Sequence, residues 1–104
     1  MREWTIDYLE STEDWLDNLT KKQLKAVAKE LRLLALCGNT LKLPHSKPLG
    51  NGLFELREYS HGLRLYYMFN KNEDIVLLHA GNKHSQEKDI EKSRELLKKL
   101  KGDL

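Results

Sequence analysis

Two arginines, Arg57 and Arg64, stand inside segments that otherwise read as β-strand, each two residues before a tyrosine. Strands favour β-branched and aromatic side chains, so a guanidinium there needs a partner or an exposed face. The surrounding stretch, KPLGNGLFELREYSHGLRLYYMF over 47–69, reads as a turn, a strand, a tight return and a second strand. If Arg57 sits opposite Arg64 across the return, Glu55 faces Tyr66 and Leu53 faces Met68, all on one face by the two-residue period. Phe54, Leu56, Leu65, Tyr67 and Phe69 then share the other face, the better core face. A slip of one residue would turn that apolar set outward, so burial fixes the register. Two adjacent arginines repel each other unless Glu55 or an external anion offsets them. The planar guanidinium fork matches two phosphate oxygens at once. Two readings are open: an open sheet face that meets a polyanion, or a solvated face with one Glu–Arg cross-strand pair.

Other groups able to do chemistry lie close by in the sequence. Lys47 and His45 sit in the loop before the first strand of the pair, and Lys83 and His84 follow a later strand. Tyr66 is a candidate for stacking on a base. Glu55 is either a base or a holder of Arg57, with holding the stronger case. A histidine suits proton transfer because imidazole ordinarily titrates near 6.5. His84 beside Lys83, or His45 in the basic loop, is the candidate. His79, inside a strand, reads as packed or hydrogen-bonded, and His61, at a turn tip, is set aside.

These groups need a scaffold, and 104 residues allow one domain, 1–104, with a modest core. A hydrophobic content of 39% and a charged content of 33% fit a globular protein. No apolar run is long enough to span a bilayer, and charges interrupt residues 1–20, so neither membrane nor signal peptide is expected and the default is cytoplasmic. Cys37 has no second cysteine to pair with and follows a helical apolar run, so it reads as a buried residue at a helix end. The net charge of +2 implies no partner by itself. Its distribution is uneven: 38–71 carries Lys42, Lys47, Arg57, Arg64 and Lys71 against Glu55 and Glu58, while 1–19 is acidic.

Alternation over 4–9 suits a first strand. Ser11 starts a short acidic helix with Trp15, Leu16 and Leu19 behind it. Thr20 with Gln23 makes a capping box for a second helix whose Leu24, Val27, Leu31 and Leu34 share one face, with Gly38 at its end. Residues 39–51 contain Pro44, Pro48 and Gly50 and read as loop. Strands follow at 53–59, 63–69 and 75–80, the second turn covering 70–74. Ser85 then caps a last helix with Glu87 and Asp89 in its first turn and Lys98, Lys99 and Lys101 in its last. The expected fold is α+β: a small, twisted antiparallel sheet of four strands, in the order β-α-α-β-β-β-α, with an N-terminal helical hairpin and a C-terminal helix.

The segments K-x-L-G-x-G-L-x-E-L-R at 47–57, G-x-R-x-Y-Y at 62–67 and G-x-K-x-x-Q-x-x-D-I at 81–90 resemble the RelE/ParE toxin superfamily of bacterial toxin–antitoxin modules. The likeness is strongest to its HigB-like branch, the addiction-module killer proteins. It covers the chain in element order and is specific over the second half. It implies a RelE-like fold and growth arrest, most often by cleavage of mRNA in the ribosomal A site. It also implies a cognate antitoxin, in this branch usually a helix-turn-helix protein encoded alongside. By the same resemblance Arg64 matches the arginine that contacts the scissile phosphate in RelE-like nucleases. Arg57 matches the arginine of the E-L-R segment, Lys83 the basic residue after the last strand, and Lys47 the basic residue before the glycine turn. The chain departs from RelE where Leu53 and Glu55 replace two lysines, and where 101–104 lacks a catalytic tyrosine.

The chemistry this implies is metal-independent: a 2′-hydroxyl attacks the neighbouring phosphate, with Arg57 and Arg64 stabilising the charge. No cofactor is expected, and no two histidines or carboxylates have metal-ligand spacing on a shared element. Gly50-Asn51-Gly52 precedes a strand, where a nucleotide-phosphate loop needs a helix. Two alternatives share the fold: a ParE-like inhibitor of DNA gyrase, and an inactive homologue that only binds antitoxin.

Overall fold

The computed structural model describes residues 3–72 and 74–102. The turn expected over 70–74 includes residue 73, and the chain's end includes 103–104; these positions lie outside the described residues. The elements are β1 (Thr5–Tyr8), α1 (Glu10–Asp17), α2 (Lys21–Cys37), β2 (Ser46–Gly50), β3 (Leu53–Glu58), β4 (Leu63–Phe69), β5 (Asp74–Asn82) and α3 (Gln86–Gly102), with a single 3₁₀ turn at Gly38–Thr40. They form one sheet in the order β1-β5-β4-β3-β2. The α+β architecture is the expected one, but the sheet has five strands, not four. It is mixed rather than purely antiparallel, because β1 runs parallel to β5. Among the described residues no helix is long and apolar enough to cross a membrane.

The extra strand is β2, inside the stretch expected to be loop. Proline lacks an amide donor and is tolerated at a sheet edge, where one side of the strand needs no partner. β2 is the edge strand, pairs only with β3, and breaks register between Pro48 and Gly50. The proline and glycine that argued for a loop are compatible with an edge position.

α2 carries the capping box at Thr20 and Gln23. It meets the sheet through Val27, Leu31 and Leu34, whereas Leu24, one turn earlier, is exposed. This helix and Trp15, Leu16 and Leu19 cover the face that carries Leu56, Leu65, Tyr67, Ile75 and Leu77. The expected cap at Ser11 is corrected: α1 starts at Glu10, after Leu9. The Ser11 hydroxyl instead donates to the Leu78 carbonyl at 3.0 Å, and Thr12 donates to the Leu77 carbonyl at 3.3 Å. Those carbonyls flank the point where the β4–β5 register shifts after Tyr66, so α1 satisfies acceptors near an irregular ladder.

The second face is not open. Leu53, Tyr66, Met68 and Leu78 form a second cluster with Leu97 of α3, and Ile90 and Leu96 pack around it. α3 begins beside Glu55, to which Gln86 donates at 2.9 Å, and later reaches the β2 carbonyls of Leu49 and Gly50 through Arg94. It therefore covers the face from Glu55 and Tyr66 toward the β2–β3 turn. Arg57 and Arg64 lie on the other side of that contact, nearer the β3–β4 turn.

Candidate functional site

The β3–β4 register pairs Glu55 with Tyr66 and Arg57 with Arg64, as the face count required. Glu55 is fully buried, and its Oε1 accepts from Arg57 Nε at 2.8 Å and from Arg64 Nη1 at 3.2 Å. Its other oxygen takes the Gln86 amide. Burial works to raise this carboxyl, but the hydrogen bonds from Arg57 and Gln86 and the charges of both arginines outweigh it and hold it below its ordinary value. The same hydrogen bond, donated to Glu55, is the foremost cause that raises the Arg57 guanidinium. Glu55 is thus the holder of both arginines rather than a free base. The arginine side chains retain about a fifth of their exposure, 20% and 19%. One buried carboxylate aims two partly exposed guanidinium groups.

They are aimed into a cleft of about 370 Å³ that the hairpin turn forms with the start of the β5–α3 connection. Arg57, Arg64 and Lys83 supply its cations, and Glu58, Ser60 and His61 line the turn side. Lys83 is held there by its backbone amide, which donates to the Gly62 carbonyl at 2.9 Å. Gly62 has φ +66°, a conformation a side chain would strain, and the Lys83 stem passes beside it.

The remaining sequence candidates are placed differently. Lys47 pairs with Glu55 across β2–β3, which puts it on the arginine face at the sheet edge, exposed. The His45 carbonyl accepts from the Arg57 amide, but its ring turns to Glu30 of α2, at 3.0 Å, away from the cleft. His84 lines a neighbouring depression with Gln86 and Glu87 that shares only Lys83 with the cleft. Tyr66 is corrected outright: it is fully buried under α3, so it cannot stack on a base. Burial first, then the charge of Glu55, pushes its phenol up. Its hydroxyl is buried without a hydrogen-bond partner among the described residues. His79 bonds Asp89 at 3.1 Å, as expected of a packed residue. Cys37 ends α2 half-buried.

The residue that sequence reasoning set aside is His61. It is exposed, as its turn-tip position suggested, and its side chain also lines the cleft. The available signal was Glu58-x-Ser60-His61, acceptor groups spaced around a turn so that they can close on the same ring.

A family model described as phage-derived protein Gp49-like matches residues 14–100. No curated protein matches the chain by sequence. Solved structures share its fold. The isolated RelE toxin of E. coli superposes with a TM-score of 0.62 at 16% identity, covering 76% of this chain and 83% of that one. The toxin–antitoxin complex RelBE2 of Mycobacterium tuberculosis gives 0.60 at 22%, covering 78% and 99%. The archaeal RelE–RelB complex of Pyrococcus horikoshii gives 0.60 at 14%, covering 78% and 96%.

Proposed function

The chain belongs to the phage-derived protein Gp49-like family, and on that premise we propose that it is the toxin of a bacterial toxin–antitoxin module, acting in the cytoplasm as an endoribonuclease on mRNA in the ribosomal A site. The observation that carries this reading is the convergence of Arg57, Arg64 and Lys83 on one cleft, with both arginines braced by a single buried carboxylate. A module that only bound a partner would have no use for braced cations on a concave surface. Braced guanidinium groups suit a phosphate whose charge grows during reaction, because their orientation is fixed before the charge develops. In this reading the 2′-hydroxyl attacks the adjacent phosphorus, Arg57 and Arg64 stabilise the pentacoordinate phosphorane, and Lys47 extends the basic face along the RNA backbone.

The fold neighbours include toxins solved with their antitoxins, which supports a cognate antitoxin as the partner here. The test is induction without antitoxin. We expect growth arrest, new mRNA ends within codons by primer extension, and relief of both by Arg64→Ala. Intact transcripts with relaxed or broken DNA would move the target to gyrase, and a harmless wild-type chain would leave only antitoxin binding.

A further inference from the structure

The arginine pair supplies charge but no proton acceptor, and Glu55, the nearest carboxylate, is fully buried and occupied. The hairpin turn that lines the same cleft is built around a second carboxylate. Glu58 is 5% exposed and accepts from the Ser60 amide at 2.8 Å, from the His61 amide at 3.0 Å and from the Ser60 hydroxyl in a short bond. Since that hydroxyl donates to Glu58, it is left as an acceptor toward His61 Nδ1, 3.0 Å away. Glu58 Oε1 itself lies 3.5 Å from the same nitrogen. Both neighbours of Nδ1 are acceptors, so the proton of the neutral ring is drawn to Nδ1. Nε2 is then the basic nitrogen, and it has no protein partner among the described residues.

We propose that His61 is a catalytic residue of this cleft, the general base that takes the 2′-hydroxyl proton on Nε2, with Ser60 and Glu58 as the positioning residues that hold its Nδ1. The assignment rests on the ribonuclease reading above and names the proton acceptor that reading lacks. The step balances as follows. The 2′-oxygen forms a bond to phosphorus and gives its proton to His61 Nε2. The bond from phosphorus to the 5′-oxygen breaks, and that oxygen takes a proton from the Lys83 ammonium. The products end in a 2′,3′-cyclic phosphate and a 5′-hydroxyl, and both side chains exchange protons with water to start again.

Several features favour this role over that of a solvated turn residue. The ring is tied through Nδ1, and it shares a cleft with three cations. The charged and titratable groups around it there are Glu58 and Arg57 from β3, Tyr59 from the turn, Arg64 from β4 and Lys83 after β5. Among the side chains lining the cleft, the imidazole of His61 is the one with a nitrogen that can accept a proton while the other is held by hydrogen bonds.

The test uses purified full-length protein with ribosomes programmed with mRNA, in single-turnover cleavage against pH. We expect the wild-type rate to fall on the acid side, as catalysis by a general base requires. His61→Gln should lower the rate by about 10²-fold or more while leaving the circular dichroism spectrum unchanged, and should abolish the acid limb. Imidazole in the buffer should restore part of the rate to His61→Ala, and product ends should carry the cyclic phosphate. Wild-type-like cleavage with an intact acid limb in His61→Gln would overturn the role of His61 while leaving the ribonuclease reading standing. A wild-type protein that leaves ribosome-bound mRNA uncut would overturn both.

Discussion

Arg57 and Arg64 stand directly opposite each other across the β3–β4 ladder, and one oxygen of Glu55 accepts a hydrogen bond from each. Like charges opposed in a ladder are destabilising unless a counter-charge lies between them. Here it does, and it is buried: it takes Arg57 through Nε and Arg64 through the tip nitrogen Nη1, which leaves the buried Arg64 Nε without a partner among the described residues.

Removing that counter-charge should therefore cost stability at neutral pH. Breaking a buried ion pair from one side costs about 3–5 kcal/mol when both partners are enclosed. The arginines are partly exposed, so Glu55→Gln is expected to cost less, about 2–3 kcal/mol. Urea unfolding at pH 7 measures it, and a midpoint equal to wild type would show that the arginines do not depend on Glu55.

The pH dependence has a definite sign. Glu55 and Glu58 are both held below the ordinary carboxyl value, Glu58 because hydrogen bonds from Ser60 and His61 outweigh the opposing effect of burial. A carboxyl lowered on folding contributes stability above its unfolded pKa and loses it as pH falls through the folded one. Wild-type stability should thus decline as pH drops below the ordinary carboxyl value of 4.5. Melting temperatures between pH 7 and pH 3 should fall less steeply for the double variant Glu55→Gln/Glu58→Gln than for wild type.

Arg64→Ala and Arg57→Ala should each reduce RNA cleavage by about 10²–10³-fold if the guanidinium groups meet the developing charge. Arg64→Lys should recover only part of that, because an ammonium lacks the two-pronged fork. Growth on induction and cleavage of ribosome-bound mRNA check it; retained toxicity in both alanine variants would remove the arginines from the chemistry.

Tyr66→Phe should be close to neutral or slightly stabilising. Its hydroxyl is buried without a partner among the described residues, and deleting such a group removes an unmet desolvation cost of about 1–3 kcal/mol in the favourable limit. Cleavage should be unchanged. A large drop in cleavage by a stable Tyr66→Phe variant would mean that the phenol reaches the RNA after all.

Gly81 pairs with Arg64 in β5, and a Cβ there would collide with the Asp89 carboxylate and come within 2.7 Å of the Ser85 hydroxyl. Gly81→Ala should cost about 1–3 kcal/mol, since Asp89 Oδ2 must leave its bond with the Ser85 hydroxyl to make room. Thermal unfolding measures this, and a variant as stable as wild type would show that the start of α3 shifts freely.

The sequence by itself determined the hairpin. Period-two alternation and the need to bury Phe54, Leu56, Leu65 and Tyr67 admit one register, and that register places Arg57 against Arg64 and Glu55 against Tyr66. It also determined α2, whose capping box and apolar stripe are local features, and the motifs on which the family resemblance rests, but not β2, which needed the neighbouring β3 to make an edge strand of a proline-containing stretch. Only the tertiary structure decided what covers the second face of the sheet. α3 has a narrow apolar stripe that could pack on either side, and its placement buried Tyr66, enclosed Glu55 and left the arginines at the margin. It likewise decided which histidine joins them. His45 and His84 are near the basic residues in sequence, but backbone direction turns one to Glu30 and sets the other in the next depression. His61 reaches the cleft because a turn reverses the chain and Lys83 docks on Gly62 from a distant segment. Strand period is written in neighbouring residues, whereas the meeting of a turn with a segment some twenty positions away is set by how the sheet and its helices pack.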